Sequence, residues 1–360
     1  MVAKRPHRAL YQLSFDQLRQ LILTDSRLLQ TPDISAGRPS GQRTTVPDVY
    51  RRVDGELTVQ APFNLEATVR VLQRRSSNRV DVWEDDSYIR VLPMARGLVL
   101  VRVWNCGSID APDLRYSILT GPRSLAAHSA IKRTLNRVLG FDLDPAVLSR
   151  LPESDPILRG TVLSLRGMRP PRFVDLFESF ASVIPFQQLS LDAGISILGK
   201  FVDRFGEHLS YRGRRYSAFP NAETISTAEV EELQSCGLSL KKSQTLIHIA
   251  REVHAGKLDE RMLSQMQTSE AMEALVKLPG VGPWTAGLVL LRGLGRIDVF
   301  PSGDAGAARG LRSLLKLSPQ SNVDEVVQRF GEHRGCLYFC CLGASLLAKG
   351  SIRSAHASSP

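Results

Sequence analysis

The sequence predicts an α+β fold: a small N-terminal domain with an antiparallel sheet, followed by an all-α domain. Short runs at 81–84, 88–92 and 97–104 have the apolar and β-branched character of strands. A stripe of apolar residues at helical spacing follows over 124–139. From about residue 174 onward, apolar residues recur at helical spacing between Gly, Pro or polar separators. Strand signals followed by helical segments are typical of the α+β class.

Composition divides the chain into four parts. Residues 1–50 are basic and contain a stretch rich in Gly, Ser and Pro, so we expect a partly disordered extension. The α+β domain is predicted over 51–168 and the helical domain over 169–350. The Pro- and Arg-rich segment 168–173 is predicted to be a hinge between them. Residues 351–360 are expected to form a flexible tail.

The charge balance points to a polyanionic partner. Lys and Arg together number 46 against 36 for Asp and Glu, which gives a formal net charge of +10 among 360 residues. Such an excess fits a nucleic acid as partner. An arginine-rich protein with no special partner has the same composition, so the charge alone leaves both interpretations open.

The 5 cysteines are odd in number and scattered, which argues against a disulfide framework and for a reducing compartment. The sequence has neither a secretory signal segment nor a long apolar run. We therefore expect a cytoplasmic protein without a membrane contact, nucleoid-associated if the source is bacterial.

The most informative stretch is the run LPGVGPWTA at residues 278–286. Gly280 and Gly282 allow a tight turn with positive φ, and Pro283 suits the first position of a new helix. The amides at the start of that helix and its dipole form an anion site, which a DNA phosphate would suit in a basic protein. An ordinary corner between two helices is the alternative for the Gly-Val-Gly triplet alone.

Asp304 is a candidate functional residue, and the family resemblance described below implies that its role is catalytic, in the cleavage of an N-glycosidic bond. It follows a loop rich in Gly and Pro, at 24 residues after Gly280, and directly precedes a predicted helix. A fixed anion stabilises the positive charge that develops on a sugar when an N-glycosidic bond breaks. A carboxylate also orients or deprotonates an attacking water. The alternative is a simple helix N-cap, which is compatible with the catalytic role. Asp298 is interpreted as a turn residue.

The hairpin run together with residues 298–307, DVFPSGDAGA, resembles the helix-hairpin-helix DNA glycosylase superfamily. The resemblance implies a helix-hairpin-helix glycosylase domain of two helical subdomains over 169–350. Asp304 falls on the family's catalytic position, and the hairpin would grip a DNA phosphate. The hairpin residues implied to contact DNA are Gly280, Val281, Gly282 and Thr285.

Trp284 stands where the bifunctional members of this superfamily carry a lysine that forms a Schiff base and nicks the strand. An indole cannot form an imine. In this respect the chain resembles the monofunctional alkylation-repair branch, the 3-methyladenine glycosylase II family, in which an aromatic residue here lines the base pocket. An indole face suits a flipped, cationic alkylated purine. Packing in the core is the alternative role for Trp284.

Gln188 is the candidate for insertion into the duplex. The run IPFQQLS at 184–190 resembles the family's loop that fills the gap left by a flipped base, and Gln188 falls on the inserting position. The alternative is a polar loop and an N-cap before the next helix.

The resemblance implies no required cofactor. It implies a Na⁺ or K⁺ ion at the hairpin, held by the backbone carbonyls of Val276, Leu278 and Val281. An iron–sulfur cluster is not expected, because Cys336, Cys340 and Cys341 do not supply the four-cysteine array of that branch. We interpret these three as small apolar residues of a terminal helix.

The resemblance therefore implies a monomeric, monofunctional DNA glycosylase that removes alkylated bases such as 3-methyladenine from duplex DNA by base flipping and so initiates base excision repair. Two alternatives stay open at this point: a bifunctional glycosylase/lyase, which Trp284 disfavours, and a non-catalytic helix-hairpin-helix DNA-binding protein, which Asp304 disfavours.

Overall fold

A computed structural model of the chain describes residues 52–95 and 97–355. The predicted extension over 1–50 lies outside the described residues, as do the last five residues of the predicted tail.

A five-stranded antiparallel sheet forms the N-terminal part, as predicted. Its strand order is β1-β5-β4-β3-β2. The turn between β2 and β3 places Asp85 and Asp86 at φ +46° and +51°, the left-handed geometry of a tight two-residue hairpin. The predicted runs at 81–104 correspond to β2, β3 and β4. The strands are β1 (Gly55–Leu57), β2 (Val82–Glu84), β3 (Ser87–Pro93), β4 (Leu98–Asn105) and β5 (Leu114–Thr120).

Helices surround one face of the sheet. The predicted helix over 124–139 is confirmed as Leu125–Val138. The apolar core on this face is shared, because Val101 and Tyr116 of the sheet belong to the same buried cluster as Leu311 and Phe339 from the C-terminal helices. The helices of the N-terminal part are α1 (Leu65–Gln73), α2 (Leu125–Val138), α3 (Leu151–Ser154) and α4 (Arg159–Ser164).

The C-terminal half is dominated by helices, as predicted. Helices α5 to α12 enclose a second apolar core that includes Phe180, Leu246 and Leu275. The helices are α5 (Leu176–Ala181), α6 (Leu191–Phe205), α7 (Ala222–Ser226), α8 (Val230–Ser235), α9 (Leu240–His254), α10 (Glu260–Gln265), α11 (Thr268–Val276), α12 (Pro283–Leu288), α13 (Ala305–Leu314), α14 (Val323–Gln328) and α15 (Cys336–Ala348).

The prediction that this half is entirely helical is wrong at one place. Strands β6 (His208–Tyr211) and β7 (Arg214–Ser217) form a hairpin, and its turn has φ +51° at Arg212 and +74° at Gly213. Tyr216 of β7 packs on the second face of the large sheet with Ile89 and Val91. Each strand has only four residues, and β7 begins with two arginines, so the pair shows little apolar alternation. Packing against the sheet stabilises it.

The segment 284–294, in the half predicted to be helical, changes its winding. It is α-helical to Leu288 and continues as a π-helix from Val289 to Leu294. The Arg292 carbonyl accepts the amide of Phe173 at 2.8 Å, and the Leu290 carbonyl accepts that of Arg296 at 2.9 Å. Amides outside the π-helical segment thus donate to two of its carbonyls, which the wider turn of a π-helix leaves accessible.

The segment 168–173 does not have the exposure expected of a hinge. Arg169 is fully buried, and its guanidinium donates to the carbonyls of Gln60 at 2.9 Å and Pro145 at 3.1 Å. Its amide donates to the hydroxyl of Thr68 at 3.1 Å. The Pro-rich sequence suggested mobility, but these contacts place the segment inside the core.

A buried ion cluster joins the sheet to the helical half. Arg90 of β3 contacts the carboxylate of Asp81 at 2.6 Å and that of Glu178, in α5, at 2.5 Å. The Tyr88 hydroxyl also donates to Asp81, at 2.8 Å. Arg90 is only 2% exposed and each carboxylate 5%, so all three charges are removed from solvent and Arg90 is the cation that both carboxylates contact.

Helices α11 and α12 are joined by a tight turn, the predicted hairpin. Gly280 has φ +78°, and a Cβ atom added there would lie 2.0 Å from Oγ1 of Thr245 in α9. Gly282 is the N-cap of α12 and Pro283 its first residue. Both the backbone angle and the close approach to α9 therefore require glycine at 280.

We predict that Arg90→Met lowers the free energy of unfolding by about 3–5 kcal/mol, because it leaves two carboxylates buried without a counter-charge. Urea unfolding measures this. The matched control is Arg204→Met, which removes an exposed ion pair with Glu232 and should cost under about 1 kcal/mol. Equal losses in the two variants would contradict the structural role assigned to Arg90.

We also predict that Gly280→Ala destabilises the protein, because the left-handed backbone alone costs about 1–2 kcal/mol for a residue with a Cβ. The contact with Thr245 adds to that loss. Gly282→Ala is the control, since no atom lies within 4 Å of a Cβ there and its φ is −96°. Thermal unfolding of both variants should show a clear loss at 280 only; a tolerated Gly280→Ala would refute the close approach.

Candidate active site

A cleft of about 900 Å³ opens between the hairpin, the start of α9 and the loop before α6. It brings together most of the residues that the sequence singles out, although they are far apart along the chain. The predicted site residues that line it are Gln188, Gly280, Gly282, Trp284, Thr285 and Asp304. Val281 is buried beneath the hairpin turn.

Asp304 is held at the N-terminus of α13 by two hydrogen bonds. Its Oδ1 accepts the amide of Ala307 at 2.8 Å, so it is the N-cap of the helix. Its Oδ2 accepts the indole Nε1–H of Trp284 at 3.0 Å. The capping role and a position in the cleft therefore coexist, and each oxygen has a fixed direction. Both donors fix the orientation of the carboxylate relative to the cleft.

The loop before α13 aims Asp304 into the cleft. Gly303 has φ +76°, and the Asp304 amide donates to the carbonyl of Pro301 at 3.3 Å. Asp298 is not among the residues that line the cleft, which agrees with its interpretation as a turn residue. It borders a separate depression with Arg334, which donates to the Asp298 carbonyl.

Trp284 lies at the border between cleft and core. It is half-buried on the first turn of α12, packs against the apolar cluster shared with the sheet, and also lines the cleft beside Asp304. Packing in the core, the alternative role for Trp284, therefore does not remove the residue from the cleft, where its role in a base pocket stays a prediction. The ring has one edge in the core and directs its polar atom to the carboxylate.

The first turn of α12 presents backbone amides at the cleft. The first hydrogen bond of the helix joins the Ala286 amide to the Gly282 carbonyl, at 2.9 Å. The amides of Trp284 and Thr285 come before it in the chain and therefore make no i→i−4 bond within the helix. Thr285 as a whole is only 2% exposed. Its hydroxyl accepts a hydrogen bond from Gln187 Nε2 at 2.9 Å, so the side chain is already engaged inside the protein.

Gln188 is exposed at the tip of the loop, as an inserting residue needs to be, and its φ is +56°. The neighbouring Gln187 points inward: its Nε2 donates to the Gly280 carbonyl at 3.1 Å and to the Thr285 hydroxyl at 2.9 Å. Lys242 of α9 donates to the loop carbonyls of Gln187 at 2.7 Å and Pro185 at 3.2 Å. Sequence reasoning missed Lys242, and it missed Gln187 although that residue lies in the run 184–190.

The cleft is basic. Among the described residues that line it, Asp304 is the acidic one, whereas four are cationic: Arg74, Lys241, Lys242 and Arg309. Arg74 comes from the end of α1, so the N-terminal part contributes to this surface. Such a lining attracts a polyanion while leaving one localised negative charge inside.

The hairpin carbonyls predicted to bind a cation lie at the end of α11 and in the turn. The Leu278 carbonyl accepts the Val281 amide at 3.1 Å, which leaves one lone pair of that oxygen for a metal ion. Within residues 52–95 and 97–355, no group of three or more His, Cys, Asp or Glu side chains could hold a metal ion.

The terminal-helix cysteines are buried, as interpreted. Cys336, Cys340 and Cys341 all belong to α15 and pack in the shared core. Burial raises the pKa of Cys336 to about 12 and raises those of the other two as well, which makes them unreactive apolar groups. Within the part of the chain that the structure describes, no helix is both long enough and apolar enough to span a membrane.

Comparison with known proteins assigns the two parts of the chain separately. Residues 181–333 match the model of the HhH-GPD superfamily base excision DNA repair protein. Residues 55–175 match the AlkA N-terminal domain. Together the two models cover the sheet, the hairpin, the loop of Gln188 and Asp304.

Individual relatives agree with this assignment. A DNA-3-methyladenine glycosylase of Bacillus subtilis is 27% identical over 274 residues, 76% of this chain and 89% of that protein. The alkylbase DNA glycosidase-like protein mag2 of Schizosaccharomyces pombe is 31% identical over 152 residues, 42% of this chain and 67% of that protein. The structure of the 3-methyladenine DNA glycosylase from Archaeoglobus fulgidus superposes with a TM-score of 0.69 at 26% identity, covering 82% of this chain and 99% of that one. The chain therefore belongs to the HhH-GPD superfamily of base excision DNA repair proteins.

Proposed function

We propose that the protein is a monofunctional DNA glycosylase that hydrolyses the N-glycosidic bond of alkylated bases, such as 3-methyladenine, in duplex DNA. The observation that carries this proposal is the Asp304 carboxylate, fixed by the indole of Trp284 at 3.0 Å inside a basic cleft. The relatives named as 3-methyladenine glycosylases support the substrate class.

Asp304 acts on the charge that develops during bond cleavage. As the bond to the base lengthens, the sugar gains oxocarbenium character, and a carboxylate stabilises that state more than the neutral ground state. Two hydrogen bonds hold the carboxylate before the substrate binds, so little reorganisation is needed. The same group orients a water for attack on the sugar and takes up its proton.

Trp284 contacts both the extruded base and the Asp304 carboxylate. Its indole face offers a stacking surface for an extruded base, and a cationic alkylated purine gains a cation–π attraction there. Its Nε1–H meanwhile keeps the Asp304 carboxylate in place. A tryptophan cannot form an imine with the sugar, so the reaction ends with an abasic site and an intact strand.

DNA binding uses the hairpin and the basic lining. The amides of Trp284 and Thr285 at the start of α12, in the turn of Gly280 and Gly282, are positioned to hold a phosphate. Gln188 enters the duplex in place of the flipped base. We propose that the protein acts on damaged duplex DNA as a monomer, in the cytoplasm or at the nucleoid.

The hairpin offers carbonyl oxygens that suit a hard monovalent cation. The carbonyls of Val276, Leu278 and Val281 would hold Na⁺ or K⁺, and the ion would reduce the negative charge of the phosphate bound beside it. The residues proposed for catalysis form the site without a cofactor.

A base-release assay tests the proposed function. Purified protein is incubated with a duplex containing methylated purines; the free base is separated by chromatography, and the strand is examined before and after alkaline treatment. Released base with an intact strand, cleaved only after alkali, is the expected result. Spontaneous nicking with borohydride-trapped protein would indicate a lyase, and binding without release a non-catalytic protein.

We predict that Asp304→Asn lowers base release about 100-fold or more, because the substitution removes the anion and little volume. Asparagine is also a good N-cap, so α13 and the melting temperature should be preserved. Release is measured under single-turnover conditions alongside thermal unfolding. Near-normal release by this variant would exclude Asp304 as the catalytic group.

We predict that Trp284→Phe lowers release about tenfold to a hundredfold, because a hydrogen bond to a charged group contributes about 1.5–3 kcal/mol. An aromatic ring remains for stacking, and the backbone amides still bind phosphate, so duplex affinity should change little. Trp284→Ala additionally removes the ring and serves as the second variant. Large thermal destabilisation with normal activity in the folded fraction would assign Trp284 to the core alone.

A further inference from the structure

The loop that carries Gln188, here the wedge loop of residues 186–190, is held from the side of α9 by one ammonium group. Lys242 Nζ lies 2.7 Å from the carbonyl oxygen of Gln187 and 3.2 Å from that of Pro185. An ammonium has three donors and no acceptor, so it can bond two carbonyls at once. The Pro185 carbonyl belongs to the short 3₁₀ turn Ile184–Phe186, and the Gln187 carbonyl directly follows that turn, so the ammonium ties the end of the turn to the start of the wedge loop.

A second attachment joins the wedge loop to the hairpin. The Gln187 side chain donates to the Gly280 carbonyl at 3.1 Å and to the Thr285 hydroxyl at 2.9 Å. Gly280 lies in the turn that would grip phosphate, and Thr285 on the first turn of α12. The wedge loop and the phosphate site are therefore directly bonded, although they are more than ninety residues apart along the chain.

The residue directly after these attachments has an unfavourable backbone conformation. Gln188 has φ +56°, which costs about 1–2 kcal/mol for a residue with a Cβ. Such a conformation persists where surrounding contacts determine it. The loop is also supported by Arg74, whose guanidinium lies 5.4 Å from the centre of the Phe186 ring, and by the ion pair of Arg75 with Asp192 at 2.9 Å.

We propose that Lys242 and Gln187 form a clamp that holds Gln188 in its left-handed, outward conformation and couples its entry into the duplex to phosphate capture by the hairpin. The proposal rests on the proposed function, because a wedge has a role only where a base is extruded. Lys242 and Gln187 are positioning residues; they act through Gln188 and the hairpin.

The environment of Lys242 distinguishes it from the cleft's other lysine. Lys242 is partly buried, which lowers its pKa, and its ammonium is bonded to two carbonyls, whereas Lys241 is exposed. A lysine that served mainly as a diffuse attraction for DNA would stay solvated at the rim. The Lys242 ammonium instead bonds two backbone carbonyls, so its main effect is to hold the conformation of the wedge loop.

The test separates flipping from binding. A duplex with 2-aminopurine beside the lesion reports base unstacking by stopped-flow fluorescence, and single-turnover release is followed at saturating protein. We expect Lys242→Met to slow both signals about tenfold to a hundredfold, in line with the cost of a misplaced positioning group. Duplex affinity should change less than about threefold, and Lys242→Arg, which restores donors to the carbonyls, should recover most of the rate.

Two control lysines isolate the clamp. Lys241→Met removes the same charge from the same cleft, and we expect it to weaken duplex affinity rather than to slow the fluorescence change at saturation. Lys200→Met removes an exposed charge from α6 outside the cleft and should behave as the wild type. Equal slowing by Lys241→Met and Lys242→Met would overturn the proposal, as would an unchanged fluorescence rate in Lys242→Met.

Gln187→Leu provides a variant that leaves Lys242 intact, should Lys242→Met fail to fold. It breaks both bonds to the hairpin and is expected to slow unstacking by a similar factor. The double variant should be slower than either single variant by less than the product of their effects, because both act in one clamp. Fully multiplicative effects would refute the coupling. A wild type that releases no base from methylated DNA would refute the proposed function, whereas active wild type with unaffected variants refutes only the clamp.

Discussion

The close approach of Gly280 to Thr245 is the constraint on which the candidate site depends. It seats the hairpin turn directly against α9, where any side chain at 280 would collide with the Thr245 hydroxyl. With the turn in that place, the Gly280 carbonyl comes within reach of Gln187, and α12 begins with Trp284 directed at Asp304. A single missing Cβ thus sets the relative positions of the phosphate site, the wedge loop and the carboxylate.

Charge has two opposite uses in this protein. In the cleft, cationic side chains stay near solvent, where they attract a polyanion and are screened by salt. In the junction between sheet and helices, Arg90 is removed from solvent with Asp81 and Glu178, and the attraction orients β3 relative to α5. A buried cluster of this kind is a poor source of net stability, but it strongly disfavours arrangements that separate its members.

Both faces of the large sheet pack against the C-terminal half of the chain. Its apolar face shares one core with α13 and α15, and the β6–β7 hairpin covers part of its other face. Through the end of α1 it brings Arg74 onto Phe186, next to the wedge loop, and Arg75 to Asp192 at the start of α6. The buried segment around Arg169 contributes to this arrangement, because the Arg169 amide donates to the Thr68 hydroxyl of α1.

The sequence by itself determined the features that are local in the chain. These features are the succession of strands and then helices, the turn of Gly280 and Gly282, the N-cap position of Asp304, and the presence of Trp284 where a lyase would have a lysine. The first three depend on spacing and backbone preference within about ten residues, and the last is read directly from the sequence. Tertiary structure alone decided that Gln187 bonds the hairpin, that Lys242 holds the wedge loop, that β6 and β7 form strands, and that 168–173 is buried. The reason is physical: these features arise from contacts between residues tens of positions apart, and the periodicity of a short window carries no information about which distant group will supply a hydrogen bond or cover an apolar face.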